Sequence, residues 1–439
     1  MIFQEEPILK VGILLSPKVK FELKGDFSSG TDDIIAGVYE ADLIDNVILT
    51  PFATGKIIEL FPKSNATFKL MNVVIGIGFH WEQKEDQEFE GGLTLLIENG
   101  KIRAINTVLL ESYLCSVISS EMSAMNDLNL LKAHAIVSRS WILAQIDRQE
   151  KTESQTSVSA SIDNKSGEIE IIKWYDREDH ELFDVCADDH CQRYQGITKI
   201  ISRNSQKAVN ETRGMVLTYN DQICDARFSK CCGGISENFG NVWQPKEVPY
   251  LSAIRDTMPA EGLNYIETND NYFISSPESF CNTTNPVVLS QVLIDFDQTT
   301  TDFYRWTISY SQEDLSALLK KKSGIDFGQI IDLVPVERGK SGRLIKLRII
   351  GSNKTLTVGK ELEIRKWLSE SHLYSSAFII EKKFDKETPV PSAFVLHGAG
   401  WGHGVGMCQI GAAVMSNMDY TAHQIVNHYF KGAMLKTIY

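Results

Sequence analysis

The sequence predicts an α+β protein of several lobes, and three observations predict it. The first hundred residues carry apolar, strand-like runs broken by glycine and proline. From Thr107 the apolar period lengthens to that of a helix. From about Tyr272 to Val390, strand and helix patterns alternate in a self-contained stretch. At 439 residues the chain exceeds what one core ordinarily fills, so two or three modules are expected. We expect a β-rich N-terminal lobe over 1–106, a core over 107–271, an inserted α+β module over 272–390, and a segment over 391–439 that completes the core around a central cleft.

Ile8-Leu9-Lys10-Val11-Gly12-Ile13-Leu14-Leu15 opens the β-rich lobe, and Gly25, Gly30, Pro51 and Gly55 punctuate its later strands. Leu110, Leu114, Val117 and Ile118 then recur at helical spacing up to Glu121-Met122. Asn126 or Asp127 can cap a longer helix carrying Leu128, Leu131, Ala135 and Ile142 and ending near Arg148. Residues 149–167 are rich in Ser, Thr and Lys without an apolar period, which reads as a surface insertion. In the module, Ser311 caps a helix with Leu315, Leu318 and Leu319, and 343–350 and 355–358 alternate as strands. The chain closes on a strand, a glycine-dense loop and a last helix with Thr421 and Gln424 in capping-box positions.

A net charge of −13 argues against a nucleic-acid binder, which needs clustered Lys and Arg to displace phosphate counterions. No run approaches the roughly 20 apolar residues that cross a bilayer, and the N-terminus lacks the basic and apolar regions of a leader. The eight cysteines are too sparse for a disulfide scaffold and are read as free thiols.

Glu121, in Ser119-Ser120-Glu121-Met122, falls at a helix end, which makes it a candidate acid, against the alternative that it is one of the chain's many surface charges. Lys132 and Arg139 share one face of the next helix, either as a solvated basic stripe or as cations that orient an acid or a substrate. Gly398-Ala399-Gly400-Trp401-Gly402-His403-Gly404-Val405-Gly406-Met407 has five glycines alternating with other residues. Such density implies close backbone approach to another element or to a ligand. The spacing matches neither a phosphate loop nor a dinucleotide fingerprint. His403 can act as acid, base or donor and Trp401 can stack on a sugar, unless the loop is purely structural. Cys231-Cys232-Gly233-Gly234 marks a tight turn and, with His403, also allows a thiol nucleophile. His180, Cys186, His190 and Cys191 offer the two imidazoles and two thiols of a closed tetrahedral zinc site. Against that, the adjacent His190 and Cys191 must both turn to one ion, and the alternative is a loop without a metal.

Together the motifs resemble the family of stage II sporulation protein D, which includes amidase enhancers and peptidoglycan lytic transglycosylases. The resemblance rests on Leu110-Glu111-x-Tyr113-Leu114, Glu121-Met122, Leu131-Lys132-Ala133-x-Ala135 through Arg139, Gln192-x-Tyr194-x-Gly196, Gly233-Gly234-x-x-Glu237, Val242-Trp243, Gly342-Arg343, Gly400 through Met407-x-Gln409-x-Gly411-Ala412, and His428-Tyr429. Cys231, Cys232 and Cys408 depart from it, standing where Ser is common, as do His134 in place of Gln and Ser236 in place of Thr.

The resemblance implies an extracytoplasmic enzyme of the periplasm or cell envelope that cuts glycan strands between N-acetylmuramic acid and N-acetylglucosamine. Glu121 would be the acid and base, raised in pKa by a desolvated cleft, and Arg139 would orient groups around it. Lys132, Trp401, His403, Gln409, Gly233 and Gly234 would contact the glycan, with the glycine loop forming a wall of the same cleft as Glu121. The alternative is a non-catalytic, glycan-binding activator of a cell-wall amidase. It also implies a structural zinc at His180, Cys186, His190 and Cys191, while the chemistry itself requires no cofactor.

Overall fold

A computed structural model describes residues 5–77, 82–123, 126–149, 158–162, 169–174, 180–188, 190–200, 202–258, 270–293, 300–385 and 388–439. Mixed helix and strand content confirms the α+β class. The chain forms two compact units, one of residues 1–152, 179–217 and 435–439, the other of 153–178 and 218–434. No described helix is long and apolar enough to cross a membrane.

In the first unit, a seven-stranded sheet runs in the order Val185–Cys186, Ile8–Ser16, Lys101–Leu109, Gly92–Glu98, Ile57–Pro62, Phe27–Ser29, Asp32–Ile34. A six-stranded sheet runs Gln83–Glu90, Thr67–Ile75, Lys18–Lys24, Gly37–Ile44, Val47–Leu49, Thr54–Gly55. Lys101–Leu109 packs against Lys18–Lys24 and Gly37–Ile44, so inward-pointing side chains of both sheets share a core. Phe27 meets Phe68 edge-on at 6.5 Å, and Phe68 stacks on Phe89 at 5.3 Å. The row continues through Tyr194 at 5.8 Å to Tyr113 at 5.1 Å, carrying the β-lobe core into the helices.

Helix α1 (Leu110–Glu121) leaves strand Lys101–Leu109 without a connecting loop and buries Leu110, Leu114, Val117 and Ile118, the periodic positions read from sequence. Helix α2 (Leu128–Gln149) starts at Asp127, whose carboxylate accepts the Asn129 N–H at 2.9 Å. Its middle is buried on all sides, from Leu130 and Leu131 to Ile142 and Leu143. Helix α3 (Arg203–Glu211), capped by Ser202, packs on α1 and α2 and escaped the sequence reading. It is only nine residues long, with few apolar positions to reveal its period.

The second unit holds α4 (Phe239–Val242), α5 (Asp270–Ile274), α6 (Pro286–Val292), α7 (Gln312–Ser323), α8 (Glu361–Trp367), α9 (Gln409–Asn417) and α10 (Ala422–Tyr429). Ser311 caps α7 by accepting the Asp314 N–H at 3.0 Å, and Thr421 and Gln424 form the capping box of α10. One sheet runs Val158–Ile162, Ile169–Lys173, Thr355–Gly359, Leu344–Gly351, Ile330–Arg338. Another runs Arg305–Ser311, Ala393–Ala399, Phe378–Lys383. Their apolar faces and the buried face of α7 share one core, which includes Trp306, Leu315, Leu347, Trp367 and Leu396.

Two expectations about organisation change. The α+β module extends past 390 to the strand Ala393–Ala399, and it recruits part of what reads as a polar insertion at 149–167. Val158–Ile162 is a strand antiparallel to Ile169–Lys173, which in turn runs parallel to Thr355–Gly359. Val158, Ala160 and Ile162 alternate at period two, but five residues between polar stretches are too few to stand out. The rest of 150–168 lies outside the described residues.

Candidate functional site

In the first unit the chemistry gathers around the C-terminal end of α1. Glu121 is the last residue of that helix and is half-buried, with Met122 already extended. A helix C-terminus is an unfavourable place for negative charge, and a peptide N–H meets it there. Glu121 Oε1 accepts from the Arg193 backbone at 3.0 Å.

That N–H is presented by a strip running along α1. Tyr113 Oη donates to Gln192 Oε1 at 3.2 Å, the Gln195 N–H donates to Ser116 Oγ at 3.1 Å, and Tyr194 stacks on Tyr113. Gly196 ends the strip with φ +60, in a place where a Cβ would stand 2.0 Å from the Glu88 carbonyl oxygen. The Gln192-x-Tyr194-x-Gly196 pattern is therefore the sequence trace of a segment fastened to α1 and to the β-lobe.

Cys191 directly precedes this strip and belongs to a four-residue cluster. One ligand atom each from His180, Cys186, His190 and Cys191 lies within 4.8 Å of the others. Cys191 Sγ is 3.5 Å from His180 Nε2 and 3.5 Å from His190 Nδ1, and Cys186 Sγ is 3.8 Å from His190 Nδ1. A tetrahedral zinc with usual bond lengths has S···N edges of about 3.5 Å, so the donor set and spacing fit that ion. The adjacency of His190 and Cys191 is no obstacle, since both side chains face the same point. The loop is held to the edge of the seven-stranded sheet: Val185–Cys186 pairs with Val11 and Gly12, and Phe183 lies where a Cβ on Gly12 would be, 2.7 Å away. Cys191, then His180 and His190, pull the Cys186 thiol well below its ordinary pKa against the opposing effect of burial.

Arg139 is held inside the fold. Its guanidinium is fully buried and pairs with Glu111, Nε to Oε1 at 3.0 Å and Nη2 to Oε2 at 2.6 Å, while Nη1 donates to the Met215 carbonyl at 3.0 Å. Glu111 also accepts from the Gly214 N–H at 3.3 Å and from the Tyr439 hydroxyl. Arg139 thus locks α2 to the start of α1. Helical spacing shows which residues share a face, not which face is buried, and here the basic residues of α2 divide. Lys132 points to α3 and pairs with Glu211.

In the second unit, the glycine-dense loop lies close against its own neighbours. The glycines do mark close backbone approach: a Cβ on Gly400 would lie 2.8 Å from the Cys231 carbonyl oxygen, one on Gly404 2.4 Å from the Arg343 guanidinium, and one on Gly406 2.0 Å from the Arg227 carbonyl oxygen. Gly233 and Gly234 take φ +80 and +105, and the Gly233 carbonyl accepts from Tyr272 at 2.6 Å and Arg305 at 3.0 Å. Trp401 is half-exposed, with the Phe303 ring at 4.5 Å and the Tyr374 ring at 4.4 Å. Gln409 is buried to 2% exposure.

His403 Nδ1 accepts from the Val405 N–H at 3.0 Å, and burial followed by the charges of Arg227, Arg343 and Arg365 holds the ring neutral, well below the ordinary histidine pKa. A pairing of His403 with a Cys232 nucleophile has no support, because Cys232 is 3% exposed and its thiol is pushed well up by burial. Sequence reasoning also passed over Glu237 and Arg343 as partners of this loop. The Glu237 N–H donates to the Gly404 carbonyl at 2.8 Å, Glu237 Oε2 accepts from Ser341 Oγ at 2.6 Å, and Arg343 Nη2 donates to the Gly402 carbonyl at 3.1 Å.

Comparison with known proteins divides along the same line. The stage II sporulation protein (SpoIID) family profile matches residues 98–219, which contain α1, α2, Glu121 and the four His and Cys residues. A domain of unknown function, DUF8618, matches 237–406. The stage II sporulation protein D of Bacillus subtilis is 24% identical over 76% of this chain and 76% of its own length. The amidase enhancer of the same organism is 25% identical over 53% of this chain, a match spanning only 32% of that longer relative. An uncharacterised protein of Brachyspira hyodysenteriae is 23% identical over 79% of this chain and 71% of its own length. Residues 98–219 thus carry a SpoIID-type domain, and through these matches and the motifs that build the end of α1 the chain is similar to the SpoIID and amidase-enhancer proteins.

Proposed function

We propose that the chain is an extracytoplasmic peptidoglycan lytic transglycosylase in which Glu121 is both acid and base. The observation that carries this reading is the position of Glu121, half-buried at the end of α1 with one oxygen oriented by the Arg193 N–H, inside the family-matched segment. The protonated carboxyl gives its proton to the glycosidic oxygen as the bond to C1 of N-acetylmuramic acid breaks, releasing the N-acetylglucosamine hydroxyl. The C6 hydroxyl of the same muramic residue closes on C1, and the Glu121 carboxylate takes the proton that this hydroxyl loses. The product is a 1,6-anhydro end, and neither water nor a second carboxylate enters. A zinc held by His180, Cys186, His190 and Cys191 would have four protein ligands and no open position, so its part is to stabilise the loop that leads to Arg193.

Purified glycan strands freed of stem peptides, incubated with the protein alone, should yield anhydro-muramyl ends by mass spectrometry. Glu121→Gln should lower that rate by about a hundredfold or more while leaving strand binding and melting temperature unchanged. The second reading is a glycan-binding activator of a cell-wall amidase, favoured by the name of the amidase-enhancer relative. No anhydro ends from the parent, together with undiminished amidase stimulation by Glu121→Gln, would replace the first reading with the second.

A further inference from the structure

Cysteines are not spread evenly through the fold. Besides Cys186 and Cys191, four gather in the interior of the second unit: Cys231, Cys232, Cys281 and Cys408, none more than 3% exposed. We propose that Cys232, Asp256, Cys281 and Cys408 form a second metal centre, a closed structural site for a Zn2+ ion.

Geometry is the first support. One ligand atom from each of these residues lies within 4.8 Å of the other three. Cys232 Sγ and Cys281 Sγ are 3.5 Å apart, far beyond the roughly 2.05 Å of a disulfide and close to the S···S edge of about 3.8 Å around a tetrahedral zinc. The donor set is the second. Three thiolates and one carboxylate suit a zinc-class ion, and in a dry interior such a set needs a cation beyond the His428 ring 3.7 Å from Asp256 Oδ1 before it can all be charged.

The surroundings of the donors are the third. Metal-bound sulfurs and carboxylates are commonly fixed by outer hydrogen bonds, and each kind is present. The Cys232 N–H donates to Cys408 Sγ at 3.2 Å, and Ser279 Oγ lies 3.2 Å from Cys281 Sγ. The Cys281 N–H donates to Asp256 Oδ2 at 2.9 Å, and Tyr429 Oη donates to Oδ1 at 2.7 Å. A Cβ on Gly411 would fall 2.6 Å from Asp256 Oδ2, so the glycine keeps the carboxylate's place open.

The ligands come from four separate parts of the second unit. Cys232 lies in the turn before Gly233, Asp256 follows the bridge of Ile235 with Arg255, Cys281 precedes α6, and Cys408 ends the short strand after the glycine loop. An ion joining them would fasten the segments on which Gly233, Gly234 and Gly400 meet. This inference is independent of the transglycosylase reading, because it concerns how the loop is held and not what is cut.

The decisive measurement uses Cys186→Ser/Cys191→Ser, which leaves the interior cluster untouched. Prepared without added chelator, that variant should carry one zinc per chain by elemental analysis. After exchange with Co2+ it should show the near-ultraviolet thiolate-to-cobalt absorption and the visible bands of a tetrahedral ion. Adding Cys281→Ser or Asp256→Asn to it should lower bound zinc at least tenfold, with circular dichroism reporting whether the fold persists. Absence of zinc and of the cobalt bands in the folded double variant overturns the proposal, as does zinc that survives Cys281→Ser. Thiol titration of the denatured, unreduced parent should find eight reactive thiols, and six would replace the metal by a disulfide.

Discussion

His180, Cys186, His190 and Cys191 lie within one short loop and are half-exposed, with His190 exposed outright, whereas Cys232, Asp256, Cys281 and Cys408 are spread across positions 232 to 408 and are each buried to 3% exposure or less. The first cluster is held together by chain connectivity and needs little loop closure. The second exists only when the unit is folded, so binding an ion there is folding free energy. The difference teaches that similar ligand chemistry serves two ends. An exposed local cluster trims one loop beside Glu121, while a buried cluster drawn from distant segments belongs to the core.

If burial and sequence separation set the size of an effect, the largest loss should come from the Arg139–Glu111 pair, whose side chains are 0% and 8% exposed. Arg139→Met leaves the Glu111 carboxylate without its cation and should cost about 3–5 kcal/mol in urea unfolding. The double variant Arg139→Met/Glu111→Leu should recover part of that loss, since it removes the stranded charge as well. A cost for Arg139→Met no larger than that of a surface substitution would break the rule that buried, distant contacts dominate.

Chelation separates the two clusters directly. With zinc in both, a chelator should remove one equivalent quickly, from the half-exposed loop, and the other only as fast as the second unit opens. Hydrogen exchange should then speed up first in the loop around Cys186 and Cys191 and at the Arg193 amide, the one that bonds Glu121. Simultaneous loss of both equivalents would erase the distinction between the clusters.

The same contrast explains what the sequence could reveal. Glu121 at the end of α1, the caps at Ser311 and Thr421, and the cluster His180 to Cys191 all depend on residues close together in the chain, where spacing carries the information. The partners that tie distant segments left no such spacing. Glu111 with Arg139, Glu237 with Ser341, and Asp256 with Cys281 are 28, 104 and 25 positions apart, with unrelated residues between. Trp401 shows a further limit, since nothing in its run of glycines foretold that Phe303 and Tyr374 pack beside it.

The smallest effect is expected where a distant contact is exposed, which tests burial apart from sequence separation. Lys132 pairs with Glu211 across α2 and α3, with side chains 23% and 41% exposed. Water and salt screen such a pair, so Lys132→Ala should lower the melting temperature by about 2 °C or less at pH 7. The hydrogen bond from Lys132 is the main cause that holds the Glu211 carboxyl below its ordinary pKa in the folded state. A depressed carboxylate pKa stabilises the fold above the unfolded value of about 4.3, and that stabilisation disappears as pH falls through the lower folded value. The difference between parent and Lys132→Ala should therefore be present at pH 7 and vanish in strong acid, and about 1 M salt should shrink it at pH 7. A melting difference as large as that of Arg139→Met, or one that grows as the pH falls, would show that sequence separation rather than burial sets the energetic scale of these contacts.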